Sequence, residues 1–261
     1  MNPKISPLAY VDPAAKIAED VEIGPFAYIE GDVEIGKGCV IKPYASVLSG
    51  TTMGERTVVH QHALVGVKSQ SFRKQGEHTR LIIGDDNTIR EFAVLVKGLS
   101  DDSATRIGHH NYFMSTSHVG HDSVIDHHIV VGIKSVVSGR CRVDHHTVLS
   151  TATVLFPGIH VGAYSVVSGG ARVRANVPPF ITTTANPTGF FSVNNPLMER
   201  HSFDEKEIRH ITHAYEIIYH SKMDLADYIS RVRAEVPIDD KVQTILDFLA
   251  ETEQDGGQII F

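Results

Sequence analysis

Hydrophobic and polar positions follow each other along this chain with a period of six. From Ile5 the series runs through Val11, Ile17, Ile23, Ile29 and Ile35 to Val161, Val167 and Val173. Of its 29 positions 26 are aliphatic, Met or Phe, and only Ser71, Glu77 and Asp101 break it. An amphipathic helix repeats near 3.6 residues and a half-buried strand near 2, so neither alone sustains this register. The pattern predicts a solenoid in which successive units stack and their apolar residues fill one continuous lumen, a parallel β-helix. A typical unit is Ile23-Gly24-Pro25-Phe26-Ala27-Tyr28. Its small fifth residue suits a crowded corner, and Gly, Asp or Asn favours turn geometries that a bulky Cβ resists.

Two segments leave the repeat and rejoin it in register. Residues 66–82 and 98–106 read as polar loops projecting from a rigid stack, where ligand contacts tend to sit. The repeat ends near Val173, followed by a stiff Val177-Pro178-Pro179 break. We therefore divide the chain into a β-helix over 1–180 and a hinge with a helical C-terminal domain over 181–261. Residues 202–205 (Ser-Phe-Asp-Glu) read as a capping box opening a helix through about Tyr219, with Ile208, Ile211, Ala214, Tyr215 and Ile218 on one apolar face. Two further helices are expected at 224–235 and 239–252.

Composition narrows the function classes. A length of 261 residues suits one large domain and a small one. A formal net charge of −7 without any run of Lys and Arg argues against nucleic acid as a partner. The N-terminal residues lack a charged region followed by an apolar one, and no stretch reaches the roughly 18 apolar residues of a membrane span. The expectation is a soluble, cytoplasmic protein with no integral membrane segment. Cys39 and Cys141 lack metal-ligand or disulfide spacing and read as small buried wall residues.

Specific motifs add chemistry. The segment Asn111–Asp122 (NYFMSTSHVGHD) contains a His-x-x-His-Asp element. Gly76-Glu77-x-Thr79-Arg80, Ile83-Gly84-Asp85-x-Asn87-x-Ile89-Arg90-Glu91, Asn194 with Arg200 before Phe203, and His213-Ala214-Tyr215 accompany it. Together with the order of β-helix, two loops, Val-Pro-Pro hinge and helical tail, they resemble the UDP-N-acetylglucosamine 3-O-acyltransferase family of lipid A synthesis over essentially the whole chain. The resemblance implies a left-handed β-helix of triangular section, an all-β solenoid followed by an α-helical domain. It also implies a homotrimer with sites between neighbouring subunits, Arg140 of one chain facing His121 of another across a cleft.

The implied reaction moves an acyl chain from acyl carrier protein to the 3-position of a UDP-sugar, with no cofactor beyond the phosphopantetheine that carries the donor. Such a transfer needs a base for the hydroxyl proton and donors for the tetrahedral oxyanion. By resemblance His121 is that base, Asp122 orients it and the Gly139 N–H is the oxyanion donor. Substrate contacts fall to Gln70, Arg73, His118, Arg140, Asn194 and Arg200, and Gly169 occupies the position that helps set acyl length, in a groove between rods. The chain departs from the family pattern at Ser71-Phe72-Arg73, Val96, Arg140, Phe156-Pro157, Pro196 and His201. These departures bear on the acceptor more than on the reaction. They leave two other readings open, a coenzyme A-dependent small-acyl transferase and a non-catalytic paralogue that binds a nucleotide sugar.

The pairs His109-His110, His127-His128 and His145-His146 recur 18 residues apart, which stacks them at one corner of three coils. The γ-type carbonic anhydrases share this fold and bind zinc through three His, but the third ligand position here holds Ser150 or Thr151. We read the column as a solvated ladder with no metal.

Overall fold

A computed structural model describes residues 2–221 and 223–261. Most apolar register residues end a short strand and turn into the lumen, as Val119, Val131 and Val137 do with no exposed surface, while Ile5 at the first coil stays exposed. Strands pair in parallel at a separation of 18 residues, as in Val119↔Val137, so three six-residue units close one coil. The strands form sheets of eleven, nine and eight members that run along the rod, making the walls of a left-handed parallel β-helix of triangular section. Cys39 and Cys141 are buried corner residues whose Sγ atoms contact the carbonyls of Gly54 and Phe156 at 3.0 and 3.1 Å.

The two loops leave from the same edge, the one between the second sheet (Val65, Leu95, Val119) and the third (Ile83, Ile107, Ile125). Strands run to Val67 and resume at Arg80, then run to Val96 and resume at Ala104. Relative to an ordinary six-residue step, the first insertion adds two repeat lengths and the second adds one. That is why the period of six survives across both.

The turns differ from expectation at one position. The fourth residue of the unit is left-handed in nearly every coil, and it is Phe26 (φ 61°), Tyr44 (64°), His62 (61°), Phe92 (59°), Asp122 (58°) or Arg140 (61°) more often than glycine. A non-glycine residue there costs about 1–2 kcal/mol. The coil spacing offsets that cost. The amide at this position donates to a carbonyl one coil back, as from Phe26 to Leu8 at 3.1 Å. The flat side chains also stack, with Phe26, Tyr44, His62 and Phe92 at centroid separations of 5.0–5.1 Å.

The third position behaves in the opposite way. Among the described residues the regular coils use no amide there for a backbone carbonyl, and the exceptions sit at the second loop, Lys97 N–H donating to Val67 O and Ser103 N–H to Ser100 O, each at 3.0 Å. Pro7, Pro13, Pro25, Pro43 and Pro157 occupy it in the period of six, and Pro179 does so once the register resets at Val177, which bridges Val161, because proline has no N–H to lose.

Beyond the rod, Ile181–Thr183 extends the first sheet and Phe190–Val193 pairs with it antiparallel. Four helices follow: α1 (Asn195–Arg200), α2 (Glu205–His220), α3 (Leu225–Glu235) and α4 (Asp240–Gln254). The strand pair and α1 fall where the sequence suggests only an irregular stretch. α1 is a six-residue turn begun by Asn194 with Pro196 in its first turn. The capping box of α2 exists two residues later than expected. Asp204 is the N-cap, its carboxylate accepts from Glu207 N–H at 2.7 Å, and Glu207 accepts from Asp204 N–H at 2.9 Å. α4 lies against the third sheet through Arg142 to Glu251 (2.9 Å) and Phe248 against His160 (4.5 Å). His160 in turn bonds Asp144 (2.8 Å).

The histidine ladder lies on the edge between the third and first sheets. Rings of His110, His128, His146 and Tyr164 stack at 4.7–4.9 Å. It is not solvated throughout. His201 of the tail covers the far end, 4.3 Å from His146, and burial with neighbouring imidazoles pushes His146 down to about 4. Among the described residues no three His, Cys, Asp or Glu side chains form a metal site.

Candidate active site

His121 and Asp122 stand on the loop-bearing edge, at the third and fourth positions of one coil. His121 Nδ1 lies 2.9 Å from Asp122 Oδ2, with the two side chains 19% and 21% exposed, so the pair is sheltered yet reachable. The left-handed conformation of Asp122 turns its carboxylate back under the imidazole. Asp122 Oδ1 accepts from Ser103 Oγ (2.7 Å) and Leu99 N–H (3.1 Å), and its own N–H donates to Thr105 Oγ1 (2.9 Å). Burial raises the carboxyl pKa, but these hydrogen bonds, led by Ser103 and then His121, outweigh it and hold the group below its usual value. A carboxylate fixed in this way accepts the Nδ1 proton, which leaves the Nε2 lone pair of His121 free.

Gly139 explains where that nitrogen sits. A Cβ on Gly139 would come within 2.5 Å of His121 Nε2 and 2.7 Å of Cε1, so the imidazole occupies space that only glycine leaves. Gly139 is also a third-position residue, and its N–H has no acceptor among the described residues while its neighbours Ser138 and Arg140 donate to Leu155 and His121 carbonyls. One coil further the same position is Pro157, without a donor. A basic imidazole nitrogen and an uncommitted amide thus lie side by side, which is the pairing that acyl transfer through a tetrahedral oxyanion requires.

The other expected residues divide by location. Arg140 lies one coil beyond Asp122 on the same edge of the same chain, its N–H donating to His121 O at 2.8 Å. His118 points outward from the second sheet between Val94 and Val136, and burial lowers its pKa. Gln70 and Arg73 ride on the first loop. That loop is bonded to the second through Gly76 N–H to Leu99 O (2.8 Å) and Glu77 N–H to Asp101 (2.6 Å). Both loops are therefore tied through Leu99 and Ser103 to Asp122. Gly169 lies on the edge between the first and second sheets, across the second sheet from His121, with open space beside Gly170. Asn194 is buried with its Nδ2 donating to Tyr164 O at 3.0 Å, and Arg200 is exposed beside the histidine ladder. Within one chain neither is brought to the His121 edge.

Ser103, Leu99 and Thr105 were not foreseen, because a loop without periodicity carries no signal of what it touches. Lys97, buried at the root of the second loop with Nζ on Ser49 O (2.7 Å), was equally unforeseen, and burial lowers its pKa.

The rod and this edge define a hexapeptide-repeat transferase, and residues 14–45 match the model of the bacterial transferase hexapeptide. Residues 176–257 match the second domain of UDP-N-acetylglucosamine O-acyltransferases. The acyl-[acyl-carrier-protein]–UDP-N-acetylglucosamine O-acyltransferase of Pseudomonas syringae pv. tomato is 44% identical over 87% of this chain and 88% of its own length. That of Pseudomonas fluorescens is 45% identical over 82% and 84%. The crystal structure of the UDP-N-acetylglucosamine acyltransferase from Bacteroides fragilis superposes with a TM-score of 0.95 at 33% identity, covering 98% of this chain and all of that one. The chain belongs to the acyl-[acyl-carrier-protein]–UDP-N-acetylglucosamine O-acyltransferase family.

Proposed function

We propose that this protein transfers a 3-hydroxyacyl chain from acyl carrier protein to the 3-hydroxyl of UDP-N-acetylglucosamine, the first step of lipid A synthesis. The observation that carries this reading is His121 held by Asp122 over Gly139. His121 Nε2 takes the proton from the sugar hydroxyl as its oxygen attacks the thioester carbon. The Gly139 N–H holds the resulting oxyanion. As the tetrahedral intermediate collapses, the C–S bond breaks and the imidazolium returns its proton to the phosphopantetheine thiolate. The products are the 3-O-acyl sugar nucleotide and free carrier thiol, so no cofactor is consumed.

The acyl chain crosses the second sheet from His121 toward Gly169, over the outward side chains of Val136 and Val154. The protein works as a homotrimer. Support comes from the faces of the prism, since the first and second sheets present Val130, Val148, Val94 and Val136 outward where the third presents Lys16, Glu34, Arg106 and Arg142. Association through the apolar faces puts Asn194 and Arg200 of one copy within reach of another copy's acceptor. Among the described residues no helix is long and apolar enough to cross a membrane, and a cytoplasmic location suits the two soluble substrates.

The test is incubation with acyl carrier proteins of several chain lengths and with UDP-sugars bearing a 3-hydroxyl or a 3-amine, followed by product mass. Hydroxyl-dependent ester formation is expected. Amide formation alone would move the assignment to an amino-sugar acceptor, and no product with any pair would favour a binding paralogue.

A further inference from the structure

Three arginines on or beside the catalytic edge, Arg140, Arg172 and Arg174, hold no carboxylate among the described residues. Arg56, Arg80, Arg90 and Arg142 each hold a carboxylate. Arg140, Arg172 and Arg174 are exposed and make neither an ion pair nor a side-chain hydrogen bond among the described residues, in a chain of net charge −7. Arg174 is nevertheless held in place, its guanidinium 4.1 Å above the Phe156 ring. Phe156 stands where the family pattern has a histidine, so the departure from that pattern supplies the platform.

Two cavities meet at Arg174. One of about 490 Å³ is lined by Arg172, Arg174, Asn186 and Thr188 and by no Asp or Glu side chain. The other, of about 340 Å³, runs back past Gly158 to Arg140, and its acidic residues are Asp255 and Glu251, the latter already held by Arg142. Unpaired guanidinium groups at an open cavity suit a phosphate, whose oxygens match their planar fork.

Distance identifies which phosphate. Gly120, Ser138, Phe156 and Arg174 occupy the same position in four successive coils, so Arg174 lies about 14 Å along the edge from His121 at about 4.8 Å per coil. A phosphopantetheine arm has about thirteen bonds from sulfur to phosphorus, which at about 1.2 Å per bond spans about 16 Å extended. With the thioester at His121, the phosphodiester reaches these arginines.

We propose that Arg172 and Arg174 bind the phosphodiester of the donor's phosphopantetheine arm, with Arg140 flanking the arm nearer the thioester. This rests on transfer from acyl carrier protein as proposed above. The test compares acyl-4′-phosphopantetheine with acyl-pantetheine, which lacks the phosphate, as donors for the wild type and for the R172A/R174A protein. In the wild type, KM for the unphosphorylated donor should be about 10- to 100-fold the higher, the usual worth of charge-assisted hydrogen bonds. In R172A/R174A the two donors should converge to within about 3-fold, with melting temperature, kcat and the KM for UDP-N-acetylglucosamine unchanged.

Equal donors in the wild type, or discrimination retained in the variant, would overturn the proposal. So would a rise confined to the UDP-sugar KM, which would mean that the arginines hold the acceptor's diphosphate. Calorimetric titration with 4′-phosphopantetheine and with pantetheine separates this subsite from the transfer reading. Phosphate-dependent binding lost in R172A/R174A sustains the subsite even if no donor turns over, and equal titrations for the two ligands refute it.

Discussion

Gly139→Ala isolates the position of the catalytic imidazole from everything else in the site. Gly139 has no left-handed φ, so alanine fits its backbone, and the heavy atoms its methyl would meet most closely are His121 Nε2 at 2.5 Å, Cε1 at 2.7 Å and Cδ2 at 2.9 Å. To reach an ordinary contact of 3.4 Å the ring must retreat by about 0.9 Å. It cannot do so freely, because Nδ1 is held by Asp122, itself anchored to Ser103 and Leu99. The Gly139 N–H is untouched, so the oxyanion donor remains. A displacement of about 1 Å in a positioned catalytic group costs on the order of 10²-fold in rate. We therefore expect kcat for acyl transfer to fall about 10²-fold with the melting temperature within a degree or two, since the ring yields rather than the lumen. Steady-state rates with acyl carrier protein donor and a thermal melt decide it. Turnover within about 3-fold of wild type would mean that His121 Nε2 does not take the proton from where it sits.

Three other perturbations probe separate parts of the molecule. Asp122→Asn keeps an oxygen for Ser103 but presents an amide to His121 Nδ1, favouring the wrong tautomer. We expect kcat to fall by about 10³- to 10⁴-fold with little loss of stability, and an unchanged kcat would remove Asp122 from the mechanism. Burial and neighbouring imidazoles hold His146 down to about 4, and burial lowers His145 and His128 as well, so the folded state favours neutral rings. Their contribution is complete above the ordinary His value of about 6.5 and is lost as pH falls toward about 4, so the melting temperature should drop across that window. It should drop less in His146→Phe, which keeps a ring beneath Tyr164, and identical pH profiles would refute the assignment. Gly169→Met places a side chain whose Cβ meets Thr151 O at 3.1 Å and nothing else nearer than 3.9 Å, and whose remainder fills the groove. Donor preference should shift to shorter acyl chains at about 0.8 kcal/mol per excluded methylene, and equal donor profiles would show that the chain runs elsewhere.

The rod was legible because its core is one-dimensional. Every sixth side chain meets the same lumen, and the inserted loops happen to be whole multiples of the unit, so the register crosses them intact. The hinge was not legible for the converse reason. Ile181–Thr183 pairs with Phe190–Val193 through backbone hydrogen bonds across a short loop, and neither strand alternates in a way that separates it from irregular chain. The capping box was displaced because Ser202 offers the same hydroxyl signal as a true N-cap, and only the backbone decides that Asp204 carries it. His121 and Asp122 could be named from a motif, whereas Ser103, which contacts Asp122 from 19 residues away, could not.

Part of the site's logic was present in the prolines and went unread. Five of them fall at the third position of the unit, and a residue without an N–H is tolerated there only because the coil does not use that N–H. The same position therefore supplies a row of spare donors along each edge of the rod wherever proline is absent. On the loop-bearing edge it holds Pro13, Gly31, Ser49, Val67, Lys97, His121, Gly139, Pro157 and Ala175 in order along the rod. Ser49 has given its donor to Glu30 (2.7 Å), Pro157 has none, and His121 supplies a side chain there. Gly31 and Gly139 both combine a third-position amide that donates to no backbone carbonyl among the described residues with the absence of a Cβ, and of the two Gly139 lies directly beside an imidazole, that of His121 held by Asp122. The reaction centre is thus located by what the fold leaves unused as much as by the residues that act, and a β-helix can move such a centre along its edge by exchanging proline and glycine at one position of the repeat.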